Sequence, residues 1–273
     1  MICKEIDIRV EGSLPDAKLY TYIIDHSEEI DIQKRPLILI CPGGGYFRTC
    51  DREAEAFAIQ FVAMGYHAAV LRYSTVPATY PTALLEAGKS ISYLKSKSEE
   101  WHIDRNQIFI QGCSAGGHLA ASLGMFWQEE MLSQKLQVSP EDLRPAGMIL
   151  SYPVITSGEY AHRESFENLL GDNDSNIVLR EKMSLERQVT KYTPKVFIWH
   201  TFTDELVPVE NSLLLVSALK KQNIPTEFHM YPVGRHGLAL ATKETEDPDG
   251  LGDEPQCASW IALVKVWLQA ATR

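Results

Sequence analysis

The feature that most restricts what this chain can become is an alternation. Runs rich in β-formers occupy 37–41, 67–73, 107–112, 147–153, 195–200 and 226–232, and stretches with apolar positions at helical spacing lie between them. Helices are expected at 52–64, where "REAEAFAIQFVAM" stops at Gly65, at 82–98, from 115 onward, at 209–222 and at 257–271. "HAAVLRY" at 67–73 is a continuous apolar run, the pattern of a strand buried on both faces. Strands that alternate with helices pack as a parallel sheet covered on both sides. Two further strands, at 4–10 and 18–24, precede the alternation. The expectation is an α/β fold built on a mostly parallel, doubly wound sheet of about eight strands.

One segment breaks the rhythm. Residues 154–193 are polar and weakly periodic, with turn signals at "GDNDSN", and their 40 residues far exceed the ~2–6 of an ordinary connection. They read as a small helical cap inserted into a single domain spanning 1–273, the alternative being a mobile surface excursion. A domain of this length buries a sizeable core without help from a partner.

Composition excludes several classes of function. The formal net charge is −10 and no Lys/Arg cluster forms a stripe, which argues against nucleic acid or an anionic membrane surface as the main partner. No apolar run approaches the ~18 residues of a membrane span. The five cysteines, Cys3, Cys41, Cys50, Cys113 and Cys257, show neither a CxxC pair nor metal-ligand spacing, so no metal and no organic cofactor is expected. Their odd number, and a start without the pattern of a signal peptide, point to free thiols in a reducing cytoplasm. A homo-oligomer is compatible with the sequence but not specified by it.

Ligands of doubly wound sheets bind beyond the carboxyl ends of the strands. Four strand ends carry chemistry here. Gly43, Gly44 and Gly45 follow 37–41, Ser114 follows 107–112, "TFTDELVP" follows 195–200 and "VGRHGLA" follows 226–232. A serine on a sharp strand-to-helix turn crowds its neighbours, so the residues two before and two after it must be small, and Gly112 and Gly116 meet that need. Such a turn puts the Ala115 N–H at a helix N-terminus, where developing negative charge is favoured, and Gly44 or Gly45 can supply a second donor.

A serine hydroxyl needs a base. Of the eight histidines only His236 follows the last strand in a glycine-flanked loop, while His118 lies on the helix after Ser114 and His200 closes a strand. The orienting acid belongs after the preceding strand, where Asp204 stands with Glu205 as its neighbouring rival. Its task is to fix the imidazole tautomer and stabilise the imidazolium. Tyr46, Tyr152 and Pro153 follow strand ends as well and are candidates to line an acyl or alcohol pocket, with plain packing as the equal alternative. Cys113, beside the serine, is expected to point into the sheet as packing.

With "CPGGGYFRTCDREAEAFAIQFVAMGYHAAVLRYS", "IFIQGCSAGGHLA", "LSYPVIT" and "IWHTFTDELVPVENSLLLVSALKKQNIPTEFHMYPVGRHGLALA" in place, the chain resembles the BD-FAE-like and α/β-hydrolase-3-like serine esterases, in particular acetyl-xylan-esterase-like bacterial enzymes. The resemblance implies the α/β-hydrolase fold, with Ser114 as nucleophile, Asp204 as orienting acid, His236 as base, and Gly44, Gly45 and Ala115 as oxyanion donors. One departure is Pro42, where many related esterases carry histidine before the glycines. The function implied is hydrolysis of a small-molecule carboxylic ester through an acyl-enzyme, with an acetylated sugar as the leading substrate. An amidase such as a formamidase, or a dipeptidase, would use the same triad. A non-catalytic ligand-binding module on the fold is the rival from another class.

Overall fold

The computed structural model describes residues 1–272. Eight strands form one sheet: β1 (Glu5–Asp7), β2 (Lys18–Tyr22), β3 (Arg35–Cys41), β4 (His67–Arg72), β5 (Ile103–Cys113), β6 (Gly147–Ser151), β7 (Lys195–Thr201) and β8 (Thr226–Tyr231). Their order is β1-β2-β4-β3-β5-β6-β7-β8, antiparallel from β1 to β4 and parallel from β4 to β8. The helices are α1 (Glu55–Ala63), α2 (Thr82–Ser96), α3 (Ser114–Phe126), α4 (Glu130–Leu136), α5 (Pro140–Leu143), α6 (Arg163–Leu170), α7 (Ile177–Lys182), α8 (Glu210–Lys221), α9 (Pro255–Ala258) and α10 (Trp260–Ala271). This is the mostly parallel, doubly wound sheet that the alternation predicts, and the α/β-hydrolase fold that the resemblance implies.

The strand period of two explains both layers. Leu37, Leu39 and Cys41 of β3 face one core, where Leu84, Leu119 and Leu215 bring in α2, α3 and α8. Ile38 and Ile40 face the other, against Phe57 and Phe61 of α1 and Trp260 and Leu268 of α10. Successive side chains leave a strand on opposite faces, so a strand covered twice must be apolar at every position.

The segment 154–193 contributes α6, α7 and short turns, and its apolar residues enter the first of these cores. Val154, Ile155, Phe166, Leu170, Met183 and Leu185 are all buried there. The Asn211 carboxamide oxygen accepts from the N–H groups of both Ile155 and Thr156, tying the start of the segment to α8. Burial of this kind sets the segment over the carboxyl edge of the sheet.

Element limits differ from the sequence expectation in ways with local causes. β6 ends at Ser151 rather than 153, because Tyr152 has φ +37° and turns the chain out of the sheet. β5 starts at Ile103, earlier than its apolar stretch, since Arg35 of β3 pairs with Ile103 across polar residues. β1 shrinks to Glu5–Asp7, where the Asp7 carboxylate turns back to the Arg9 backbone and guanidinium. The final helix breaks at Ser259 into α9 and α10. Two short helices, α4 and α5, occupy the stretch before β6.

At the upper edge of the sheet α3 meets β3 backbone on backbone. A Cβ built on Gly116 would lie 2.1 Å from the Cys41 carbonyl oxygen and 2.4 Å from that of Pro42, so α3 rests directly on the end of β3. Neither partner is a flexible side chain that can yield. Gly116→Ala is expected to destabilise the protein by about 3 kcal/mol, read as a lower urea midpoint at unchanged slope. A midpoint equal to that of the wild type contradicts this contact.

Candidate active site

Ser114 sits at the junction of β5 and α3 with φ +52°, a left-handed conformation that costs a non-glycine residue roughly 1–2 kcal/mol. Three neighbours hold it there. Gly112 and Gly116 leave no room for a side chain between them, since a Cβ on Gly112 would stand 2.1 Å from the Gly116 carbonyl oxygen. The Ser114 carbonyl accepts from Val154 N–H at 3.0 Å. The strained turn lifts the hydroxyl off the sheet toward the loops.

The loops after β7 and β8 converge on it. His236 Nε2 lies 2.8 Å from Ser114 Oγ, and its Nδ1–H donates to Asp204 Oδ2 at 2.7 Å. Asp204 is the buried partner: Oδ1 accepts from the N–H groups of Leu206 and Val207, and Oδ2 also accepts from His200 Nε2–H at 3.2 Å. His200 Nε2–H is shared with the Val207 carbonyl, and its Nδ1 accepts from Ser212. Burial by itself would raise the Asp204 pKa, but the hydrogen bonds from His200 and His236 outweigh it and hold the carboxyl well below the usual range. The carboxylate is therefore ionised whenever His236 needs it. Glu205, the rival acid, is exposed and outside this relay.

The turn of three glycines packs against Ser114 from the other side. A Cβ on Gly43 would stand 2.9 Å from that of Ser114. Gly44 and Gly45 have φ +127° and +65°, values open to glycine and costly for other residues. Among the described residues neither their N–H groups nor that of Ala115, in the first turn of α3, has a protein acceptor outside the helix. Gly44, Gly45, Ser114 and His236 share one cavity of about 350 Å³, whose wall also includes Arg48, Glu53, His162 and Glu164.

Tyr46, Tyr152 and Pro153 are not in that wall. Tyr46 is buried beneath the glycine turn, its hydroxyl bonded to His118 Nδ1 at 2.9 Å. Tyr152 is buried behind His236, ring against ring at a centroid separation of 5.1 Å, and Pro153 packs on Gly117. Their aromatic and apolar bodies are consumed by the core, which corrects the expectation that they line a pocket. Cys113 is buried in the core on the α1/α10 side, as expected, and desolvation pushes its thiol upward.

Several residues act on this site that sequence reasoning did not single out. Glu53 is buried; its Oε2 accepts from Gly43 N–H and its Oε1 from the Tyr152 hydroxyl, both at 2.7 Å. Tyr152 in turn accepts from Ala239 N–H in the loop that follows His236. One carboxylate thus ties the glycine turn to the histidine loop. His118, set aside as a base, donates from Nε2 to the Met183 carbonyl of the capping segment. In the sequence Glu53 stands between Arg52 and Glu55 in one helical stretch, and nothing there sets it apart.

The BD-FAE family model matches residues 26–219. The "Endo-1,4-beta-xylanase B" of Butyrivibrio fibrisolvens is 37% identical over 238 residues, which are 85% of this chain and 36% of that protein. The "Acetylxylan esterase" of Xylanibacter ruminicola is 29% identical over 208 residues, 74% of this chain and 40% of that protein. The chain therefore spans well under half the length of these two relatives. Among solved structures, the acetyl ester-xyloside bifunctional hydrolase from Caldicellulosiruptor lactoaceticus matches with a TM-score of 0.80 at 36% identity, covering 93% of this chain and 88% of that one.

The buried histidine under the glycine turn has a consequence for acid stability. Burial pushes His118 down to about 4, so it stays neutral in the fold while the unfolded chain takes up a proton near 6.5. A depressed pKa stabilises the fold above the unfolded value and loses that contribution as pH falls toward the folded one. Between pH 6.5 and 4 the His118 share lost is up to about 3 kcal/mol. Denaturant melts across that interval are expected to show the wild type losing more stability than His118→Gln. Parallel losses in the two proteins contradict a neutral, buried His118.

Proposed function

The chain belongs to the BD-FAE family, and on that premise we propose that it is a serine carboxylic-ester hydrolase that acts through an acyl-enzyme on short acyl, foremost acetyl, esters of small carbohydrate alcohols. The observation that carries the reading is the assembled relay, with Ser114 at 2.8 Å and Asp204 at 2.7 Å from the two nitrogens of His236. The relay is complete without rearrangement, which speaks against a binding module that has lost its chemistry.

In this reading Ser114 Oγ attacks the ester carbonyl carbon as its proton passes to His236 Nε2. The carbonyl oxygen becomes an oxyanion facing Ala115 N–H and the N–H groups of Gly44 and Gly45, donors that are fixed before charge develops. Collapse breaks the bond to the alcohol, which leaves with the proton from His236. Water then attacks the acyl-Ser114 carbonyl with His236 as base, the carboxylic acid departs, and Ser114 recovers its proton. Asp204 keeps Nδ1 protonated throughout and stabilises the imidazolium without taking a proton.

The walls support the substrate class. Arg48, Arg52, Glu53, His162, Glu164 and Arg235 line the cavity before Ser114 beside Phe47 and Leu206, so a small ester with a polar alcohol finds hydrogen-bonding partners there. A second hollow of about 540 Å³ shares Leu206, Arg235 and His236 with it and adds Thr203, Glu205 and Glu254. The alcohol must leave beside His236, and Thr203, Glu205, Arg235 and Glu254 there offer partners to a hydroxyl-rich leaving group. The relative named for xylanase activity is matched over only 36% of its length. The xylanase activity in one relative's name is therefore not carried over.

A fluorophosphonate probe is expected to label the wild type and not Ser114→Ala. Asp204→Asn is expected to lower kcat about 10⁴-fold with the fold intact. On p-nitrophenyl esters acetyl should exceed octanoyl, and acetylated xylose should turn over while a matched acetanilide is far slower. Octanoyl preference would remove the short-acyl assignment, and faster anilide cleavage would make the protein an amidase.

A further inference from the structure

The glycine turn carries little stiffness of its own, because three successive residues without a Cβ leave φ and ψ almost unrestrained. Its conformation must come from contacts, and each carbonyl has one. Gly43 O accepts from Cys50 N–H at 2.9 Å, and Gly44 O accepts from Phe47 and Arg48 N–H at 3.0 and 3.1 Å. A trans peptide points its C=O and N–H in opposite directions, so these anchors aim the N–H groups of Gly44 and Gly45 away from the loop. Gly45 O is held differently: its donor is the side-chain amide Nδ2 of Asn168, at 2.9 Å and 123 residues away in sequence.

Asn168 stands on α6 of the capping segment, and that helix is firmly seated. Phe166, Leu169 and Leu170 are buried, and the Leu169 carbonyl accepts from Tyr80 N–H at 2.7 Å. Phe166 meets the His118 ring edge to face at 5.4 Å, and His118 binds the Tyr46 hydroxyl immediately after the turn. The capping segment thus reaches the glycine turn through two routes, and the direct one is Asn168.

We propose that Asn168 is a positioning residue for oxyanion stabilisation: its amide fixes the Gly45–Tyr46 peptide on the far side of the Gly45 Cα, so that the Gly44–Gly45 peptide, whose N–H faces the reacting carbonyl oxygen, is held from both ends. The proposal rests on the serine-esterase reading above. It gives the inserted segment a part in the chemical step, distinct from covering the substrate. Asn168 touches neither Ser114 nor His236 and acts only through the backbone it holds.

The test compares p-nitrophenyl acetate with its thiono analogue in the wild type, Asn168→Asp and Asn168→Ala. Sulfur is larger than oxygen and a weaker acceptor, so a hole shaped for oxygen discriminates strongly against it, and a loosened hole discriminates less. Losing one oxyanion donor outright costs ~10²–10³ in kcat, and loosening one is expected to cost about 10-fold. Both variants should therefore lose kcat about 10-fold on the oxygen ester with KM nearly unchanged, and lose less on the thiono ester, so that the oxygen-to-sulfur rate ratio falls. Asn168→Asp keeps the side chain's shape and separates loss of the amide donor from loss of packing. Equal losses on both esters, a loss confined to KM, or no loss overturns the proposal. A wild type that neither hydrolyses the ester nor takes the fluorophosphonate on Ser114 overturns the esterase reading itself.

Discussion

The first turn of α3 lies on the ends of β3 and β5 with no side chain between, and the geometry of the site follows from that contact. Gly116 touches the carbonyls of Cys41 and Pro42, and Gly112 touches Gly116. Because the helix sits so low, Ser114 is forced to φ +52° and the glycine turn after β3 comes within contact of its side chain. Ser114 and the backbone N–H groups facing it are thus set by the packing of a helix on a sheet, before any loop after β7 or β8 is considered. The strain at Ser114 is held by the surrounding backbone, as strained conformations at functional sites require.

Polar contacts do the rest, and most of them are between backbone and buried side chains. Asp204 collects Leu206 N–H, Val207 N–H, His200 and His236, which makes its charge tolerable in a buried place. Glu53 binds Gly43 N–H on one oxygen and the Tyr152 hydroxyl on the other, so the two walls of the site share a carboxylate. Asn168 and His118 connect the capping segment to the same turn. A cluster of this kind is stable only when each member is satisfied, which is why removal of one polar group is felt by the others.

The sheet and the relay were legible in the sequence because each depends on local patterns in chain order. The apolar runs gave the strands, and glycines, serine, aspartate and histidine at successive strand ends marked the residues that now converge. The residues missed share one property. Glu53 and Asn168 act through contacts made across 10 and 123 positions of sequence, to Gly43 and Gly45, and no local pattern marks them, while His118, weighed in the sequence only as a base, binds Met183 across 65 positions. For Tyr46, Tyr152 and Pro153 a place after a strand end fits a pocket wall and plain packing equally well. Such a place fixes the backbone but not the side chain, and φ values of +56° and +37° at the two tyrosines accompany their burial under the site. The insertion was located by its length, while its grip on the glycine turn depended on which face of α6 met the core.

The central claim is that the preassembled relay makes Ser114 a nucleophile that carries the acyl group between two steps. It is tested most directly by mixing the protein with p-nitrophenyl acetate, quenching in acid within the first turnover, and locating the adduct by peptide mass spectrometry. The account predicts one acetyl group on the peptide that contains Ser114, absent after hydrolysis is complete. Release of p-nitrophenol at the normal rate with the acetyl group on another residue, or with no covalent adduct at any quench time under rate-limiting deacylation, would contradict it.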